Sequence, residues 1–382
     1  MEQTLLTQEQ LRTAFSACTR PADAARELVE QFGAVDAGAV LFFASPAVAG
    51  KPIAAALTQR FPEAPVIGCT SSGEFTERGT ATGGVSAVVL PRAVVRRGAA
   101  ALARLDGGLD QQIAAAVADV EQQLQVSLRD ADPERYVGLF LIDGVHGSEE
   151  RANEMLGNLA PLLSFVGGSA GDDLRFTTTE VFCGDASSEH GAALLVLDVA
   201  VPFTVVKTCS FTKAGTSFTV TEADVPNRIV WQLDGRAAAE VYAEAVGSSV
   251  DALDSNVFMA HPLGLMIDDQ PWIRSPQQVI DRRGVKFYCQ ILPGMEVDLM
   301  RSTDLIGETR SALQRAAAQL GGTVSGSVMF NCILRRLEID AKGLNDEFVA
   351  ALGGIPAAGF HTYGESWLGH MNQTLTAVMF GR

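Results

Sequence analysis

The sequence predicts a mixed α/β (α+β) chain in which layered sheets with flanking helices form two closely packed domains, built on an internally duplicated unit of strand, helix, glycine-rich turn and strand. Three observations predict it. Continuously apolar runs bounded by Gly or Pro, "GAVLFFAS" (38–45), "YVGLFLIDG" (136–144) and "SGSVMFNCIL" (325–334), have the pattern of strands buried on both faces. A helical segment follows each run. Each helix then leads to a small-residue bend ending in Gly and an acid: "VIGCTSSGEF" (66–75), "FVGGSAGDD" (165–173) and "GFHTYGES" (359–366).

The spacing ties the bends together. Gly68 to Gly73-Glu74 and Gly359 to Gly364-Glu365 match residue for residue, and Gly167 to Gly171-Asp172 is one residue shorter. Apolar strands follow each: "VSAVVLP", "GAALLVLDV" and "TLTAVMFG".

In chain order, a polar leader precedes "PADAARELVEQFG", where Ala25, Leu28, Val29 and Phe32 share one helical face between Pro21 and Gly33; residues 1–35 form a helical lead-in. Residues 51–60 suit a second helix, and 109–124 a third with its face at Leu109, Ile113, Val117, Val120 and Leu124. "SEERANEMLGNLAPLL" carries acids in its first helical turn, 310–320 is a helix stopped by Gly321-Gly322, and "LNDEFVAAL" is another. Between the units, "VPFTVVKTCSFT", "SFTVTEAD", "RIVWQLDG", "PWIRSPQQVI" and "VKFYCQIL" read as strands of mostly antiparallel sheet, with "GRAAAEVYAEAVG" as a helix among them. The expected domains are 36–225 and 226–382, divided near "ADVPNR".

Composition narrows the function. At 382 residues and 47% hydrophobic the chain buries a large core. Its 29 basic against 45 acidic residues, a formal charge of -16, repel nucleic acid and anionic lipid. No apolar run reaches the roughly 18 residues of a membrane span, and the leader lacks a secretory signal, so a soluble, cytoplasmic protein without membrane insertion is expected. Six scattered cysteines without C-x-x-C suggest neither disulfides nor a thiolate zinc site.

At the bends, glycine followed by Glu74 or Glu365 repels phosphate where a nucleotide loop would attract it, and the familiar enzyme motifs are absent, so no catalytic residue is assigned. Small residues beside a carboxylate suit a small polar ligand, with Glu74, Asp172, Asn331, Arg335, His361, Tyr363 and Glu365 as candidate contacts. The alternative is structural: glycines at positive φ, and acids capping the next segment. His146 and His190 lie in polar loops and read as solvated, while no histidine pair has zinc spacing. His261 opens "HPLGL" at the mouth of an apolar region, His361 lies in the third bend, and His370 follows it. A thiol enzyme is a further alternative: Cys332 has Arg335 and Arg336 to lower its pKa, and Cys69 lies in the first bend.

Together "VIGCTSSGEF", "FVGGSAGDD", "WQLDGRAAAEVY", "HPLGL", "WIRSP", "MFNCILRR" and "GFHTYGE" resemble the FIST family, sensory proteins with a FIST N-terminal domain followed by FIST_C. The resemblance implies ligand sensing, of amino acids for example, with output to signalling modules. The chain is also similar to a stand-alone branch of that family, the NosP type. Those haemoproteins sense nitric oxide and regulate partner histidine kinases. That likeness implies haem b, a diatomic ligand and a kinase or other signalling partner, in a chain that can also form a homo-oligomer. Family members commonly carry Tyr where this chain has His261. His261 is therefore the first candidate for iron, with Phe258, Met259 and Leu263 around the porphyrin. His361, His370 and histidine-free ligation stay open.

Overall fold

The computed structural model describes residues 9–382, so the leader's first eight residues lie outside the described residues. Three six-stranded mixed sheets, each coated outside by its own helices, pack their inner faces around one core. A fourth, antiparallel sheet stands between two segments of the third unit.

The three units share one order: outer strand, helix, inner strand, helix, parallel strand, hairpin, return strand. In the first, strands Arg12–Ser16, Ala37–Ala44, Val66–Thr70 and Val85–Pro91 alternate with helices Pro21–Phe32 and Gly50–Arg60. In the second, strands Val95–Arg104, Tyr136–Ile142, Phe165–Ser169 and Gly191–Val199 alternate with helices Leu109–Leu124 and Glu149–Leu159. In the third, strands Phe203–Cys209, Val324–Cys332, Ala357–Thr362 and Thr374–Gly381 do so with helices Leu305–Gln319, Ile333–Lys342 and Asn345–Ala351. Residues 12–32 thus belong to the first unit as its outer strand and helix.

The units exchange their hairpins in a cycle. Hairpin Glu74–Ala81 of the first unit pairs with Ala357–Thr362 of the third; Glu365–Met371 of the third pairs with Phe165–Ser169 of the second; Val181–Ser188 of the second pairs with Val66–Thr70 of the first. Each exchange completes a neighbour's sheet and covers an edge that would otherwise stay unpaired.

The buried strand pattern follows from this layering: one side of Ala37–Ala44 meets the shared core and the other meets helices, so every residue in it is buried. Phe43 and Phe360 stack at 4.6 Å at the centre, with Phe330 edge-on to both. The helix at 109–124 buries Ile113, Ala116, Val117, Val120 and Leu124, the face its periodicity predicts. The third unit's first helix begins at Leu305, earlier than the expected 310, because Asp304 caps it by accepting from Gly307 N at 2.9 Å.

The fourth sheet, residues 211–302, runs Gln270–Arg274, Leu263–Ile267, Glu296–Ser302, Phe211–Asp224, Ile229–Leu233, Gly284–Phe287, Pro276–Ile280. Position 225, the expected dividing point, is in the hairpin joining two of its strands. Its own core gathers Phe218, Val220, Tyr242, Phe258, Leu263, Phe287 and Leu299.

Candidate functional site

The leading glycine of each bend has one job. Gly68, Gly167 and Gly359 lie opposite Phe42, Phe140 and Met329 on parallel strands, and a Cβ there would come within 2.6, 1.7 and 2.1 Å of those residues' carbonyl oxygens. Close strand approach, rather than ligand access, demands glycine at that position.

The three bends meet. Ser72 N donates to His361 O at 3.1 Å and His361 N to Gly73 O at 2.8 Å; Gly171 N donates to Thr70 O at 3.0 Å; Ser169 N donates to Gly364 O at 2.8 Å and Tyr363 N to Ser169 O at 3.1 Å. Two of the acids clamp their own units. Glu74 bonds Ser71 Oγ and accepts from Gly84 N at 3.1 Å; Glu365 bonds Thr362 Oγ1 and accepts from Thr374 Oγ1 at 2.6 Å and Thr374 N at 3.2 Å. Burial pushes Glu74 up to about 8 and Glu365 up to about 7. These two carboxyls staple a bend to the start of its return strand, the structural alternative of the sequence reading.

Asn331, Arg335 and His361 form a separate buried network. Arg335 Nε donates to Asn331 Oδ1 at 2.8 Å and its Nη2 to Thr309 Oγ1 at 2.6 Å, which turns the Asn331 amide nitrogen toward His361 Nδ1 at 2.9 Å. His361 Nδ1 then accepts, the imidazole is neutral, and burial holds its pKa well below the ordinary value.

The second bend behaves differently. Asp172 accepts from Phe176 N at 2.8 Å, Thr177 N at 2.7 Å, Thr178 N at 3.1 Å and Thr177 Oγ1 at 3.1 Å, and Tyr363 OH of the third unit donates to it. Burial pushes this carboxyl up, but the hydrogen bonds from Tyr363 and the three amides outweigh it and hold the pKa below the ordinary value. The loop so held carries Asp173, Leu174 and Phe176 at φ of 56°, 63° and 51°, a cluster of left-handed non-glycine residues. Phe176, 39% exposed, stacks on Tyr363 at 4.7 Å and faces Tyr288 at 6.4 Å.

Beside that loop a cleft of about 300 Å³ opens between the second unit and the fourth sheet; Phe176, Tyr363, His146, Arg228, Lys286 and Tyr288 are among its walls. Arg228 bridges the two bodies: its Nη2 lies 2.7 Å from Glu149 Oε2 and 2.6 Å from Glu150 Oε2, at the start of helix Glu149–Leu159, and its Nη1 donates to Tyr288 O at 2.9 Å. Lys286 has no carboxylate within salt-bridge distance among the described residues. Of the seven candidate contacts from sequence, only Tyr363 lines this cleft, and Asp172 acts behind it by holding the Phe176 loop. Phe176, Arg228, Lys286 and Tyr288 went unseen because their proximity comes from sequence-distant elements.

The haem candidates do not make a porphyrin pocket. Phe258 and Leu263 are buried in the core of the fourth sheet, whereas Met259 packs with Cys332, Ile333 and Leu334. The hollow touching Met259 is about 170 Å³, below the several hundred Å³ usual for cofactor sites. His261 ends helix Ser255–Ala260, with its carbonyl held by Tyr242 OH at 2.6 Å. His361 is enclosed by Phe75, Phe348 and Asn331. Both ring nitrogens of buried His370 lack protein partners, but its ring fills the space a Cβ on Gly364 would occupy, beside Glu149, Arg228 and Arg274. Neither setting is apolar and open. The thiol candidates are equally closed: burial raises Cys69 and Cys332 well above the ordinary thiol value. Arg336, expected near Cys332, donates instead to Ser72 O at 2.6 Å.

Among the described residues, no helix is long and apolar enough to cross a membrane. No curated protein matches the chain. Residues 38–236 match the FIST N domain and residues 238–367 the FIST C domain. The match begins in the first unit's inner strand and runs through all three bends to Trp367, so the chain belongs to the FIST family, whose domains are associated with small-ligand sensing in signal transduction.

Proposed function

We propose that the cleft walled by Phe176, Tyr288 and Tyr363 is the sensory site, and that it takes a small carboxylate-bearing metabolite, an amino acid being the fitting class. The observation that carries this reading is the broken repeat: Glu74 and Glu365 are spent inside their own units, whereas Asp172 of the second bend holds the Phe176 loop at the edge of a cleft that is also lined by Tyr363, Tyr288 and a Lys286 without a carboxylate partner among the described residues. Three rings provide an apolar wall for the ligand's body, and Lys286 supplies a charge for its carboxylate. The volume of about 300 Å³ admits a molecule of that size and not a large cofactor.

Signalling follows from where the cleft lies. Its two walls belong to different bodies joined by the Arg228 bridge, so a ligand that fits one spacing of the walls better than another shifts their equilibrium. A partner histidine kinase or another signalling protein reading that spacing completes the reading.

A thermal-shift screen of amino acids and small carboxylates tests it. A ligand at about 100 times its Kd stabilises the fold by about 2.7 kcal/mol. Lys286→Ala should weaken that response about tenfold or more while leaving the unliganded Tm unchanged. A screen without a stabiliser, or a response indifferent to Lys286→Ala and Tyr288→Ala alike, overturns the assignment.

A further inference from the structure

We propose that Asp143, His146 and His190, of which His146 also lines the cleft, form a binding site for a divalent first-row transition-metal cation. The site rests on these three side chains and not on the small-molecule reading. One ligand atom from each lies within 4.8 Å of the others. Two imidazoles and one carboxylate form a donor set suited to zinc, iron, cobalt or nickel, and three protein ligands leave positions open for solvent or a further donor.

The fold brings them together without any local motif. Asp143 follows strand Tyr136–Ile142 and His190 precedes strand Gly191–Val199; these strands pair antiparallel with Ile142 opposite Ala192, and Asp143 N donates to Gly191 O at 2.9 Å. His146 returns to the same point through the tight loop before helix Glu149–Leu159, where Gly147 has φ 71°. The imidazoles of His146 and His190 stack at 4.3 Å.

The carboxylate has the features of an oriented ligand. Asp143 is fully buried, no Lys or Arg among the described residues lies within salt-bridge distance of it, and His146 Nδ1 is 2.8 Å from its Oδ2. A buried carboxylate without Lys or Arg is stabilised by a cation. Oδ1 is engaged by Thr179 Oγ1 at 2.6 Å and Val145 N at 3.1 Å, which fixes the group with Oδ2 toward the histidines. Bonds of about 2.0–2.2 Å to one ion require ligand atoms about 3.3 Å apart, so a pair at the 4.8 Å limit would close by about 1.5 Å while the Asp143–His146 pair, at 2.8 Å, opens slightly. The stacked rings must also turn out of parallel. His146, with a side chain 46% exposed, is free to do both.

The test uses the full chain, stripped with chelator and titrated with zinc or cobalt(II) alone. One equivalent should bind saturably, and a cobalt spectrum free of thiolate charge-transfer bands separates the site from the six cysteines. His146→Ala and His190→Ala should each weaken binding about 100-fold or more, and Thr179→Val about tenfold. Both histidines are solvent-accessible, so the metal-free Tm should hold; if His190→Ala fails to fold, the half-exposed His146→Ala decides. Absence of saturable binding, or binding unaffected by His146→Ala, overturns the site and leaves a stacked pair in which His146 is hydrogen-bonded to Asp143 and His190 to Ser148.

Discussion

Glu74 and Asp172 end equivalent bends of one repeated unit, yet burial keeps the first carboxyl protonated to about pH 8, while five donors hold the second ionised. Glu365 sides with Glu74. Each of that pair is spent inside its own unit, tying a bend to the strand that returns from it. Asp172 organises a surface loop with three left-handed residues, and the cleft begins there. Where the repeat is kept, the bends are architecture; where it is broken, polar groups and aromatic faces turn outward.

The harshest way to break the comparison is at a position all three bends share. Gly167→Ala places a Cβ 1.7 Å from the Phe140 carbonyl oxygen, backbone that cannot yield cheaply, and should cost about 3 kcal/mol in urea unfolding. Gly157→Ala, in an exposed helical position with nothing near its Cβ, should gain about 0.5–1 kcal/mol. Equal effects would mean that the strands do not approach as described.

Protonation separates the two kinds of bend by the sign of their pH dependence. An unfolded Glu74 releases its proton near 4.5 and the folded one near 8, so its contribution is fully present below pH 4.5 and is lost as pH rises toward 8, on the order of a few kcal/mol. Asp172 acts oppositely: its contribution is present above its unfolded pKa and is lost as pH falls through the lower folded value. Glu74→Gln should flatten the alkaline limb of the stability profile, and Asp172→Asn the acid limb. A slope above pH 5 that Glu74→Gln does not change refutes the neutral clamp.

Tyr363→Phe sharpens the contrast further. It keeps the ring on Phe176 but removes both the donor to Asp172 and the acceptor of Leu174 N at 2.6 Å, which should cost about 1–3 kcal/mol. Hydrogen exchange should quicken at Phe176, Thr177 and Thr178 and stay unchanged at Gly84, the amide held by Glu74. The smallest effect is expected at His261. Its neighbours diverge into two cores, so haemin absorbance of the mixed protein should be the same with His261→Ala as with the natural chain. A ligand-field change on that substitution would restore His261 as an axial residue.

Much of the fold is legible in the chain itself, because buried strands and amphipathic helices declare themselves through local periodicity. "GAVLFFAS" and its two counterparts are the inner strands, and the 109–124 helix buries its predicted face. Helix Ile333–Lys342 escaped notice because "CILRR" continues an apolar strand without a capping side chain. The hairpin exchange left no local trace either: Glu365-Ser366 reads the same whether it pairs within its unit or with Gly167-Gly168.

By itself, the sequence determined the three-fold repetition, the small-residue bends with their terminal acids, and membership of a sensory family, since these depend on residue type and spacing. Tertiary structure alone decided which carboxyl stays neutral, how residues 211–302 close a cleft against Tyr363, and that His146 meets His190 across 44 residues of chain. Burial and proximity between distant segments set those outcomes, and neither is a property of any short stretch.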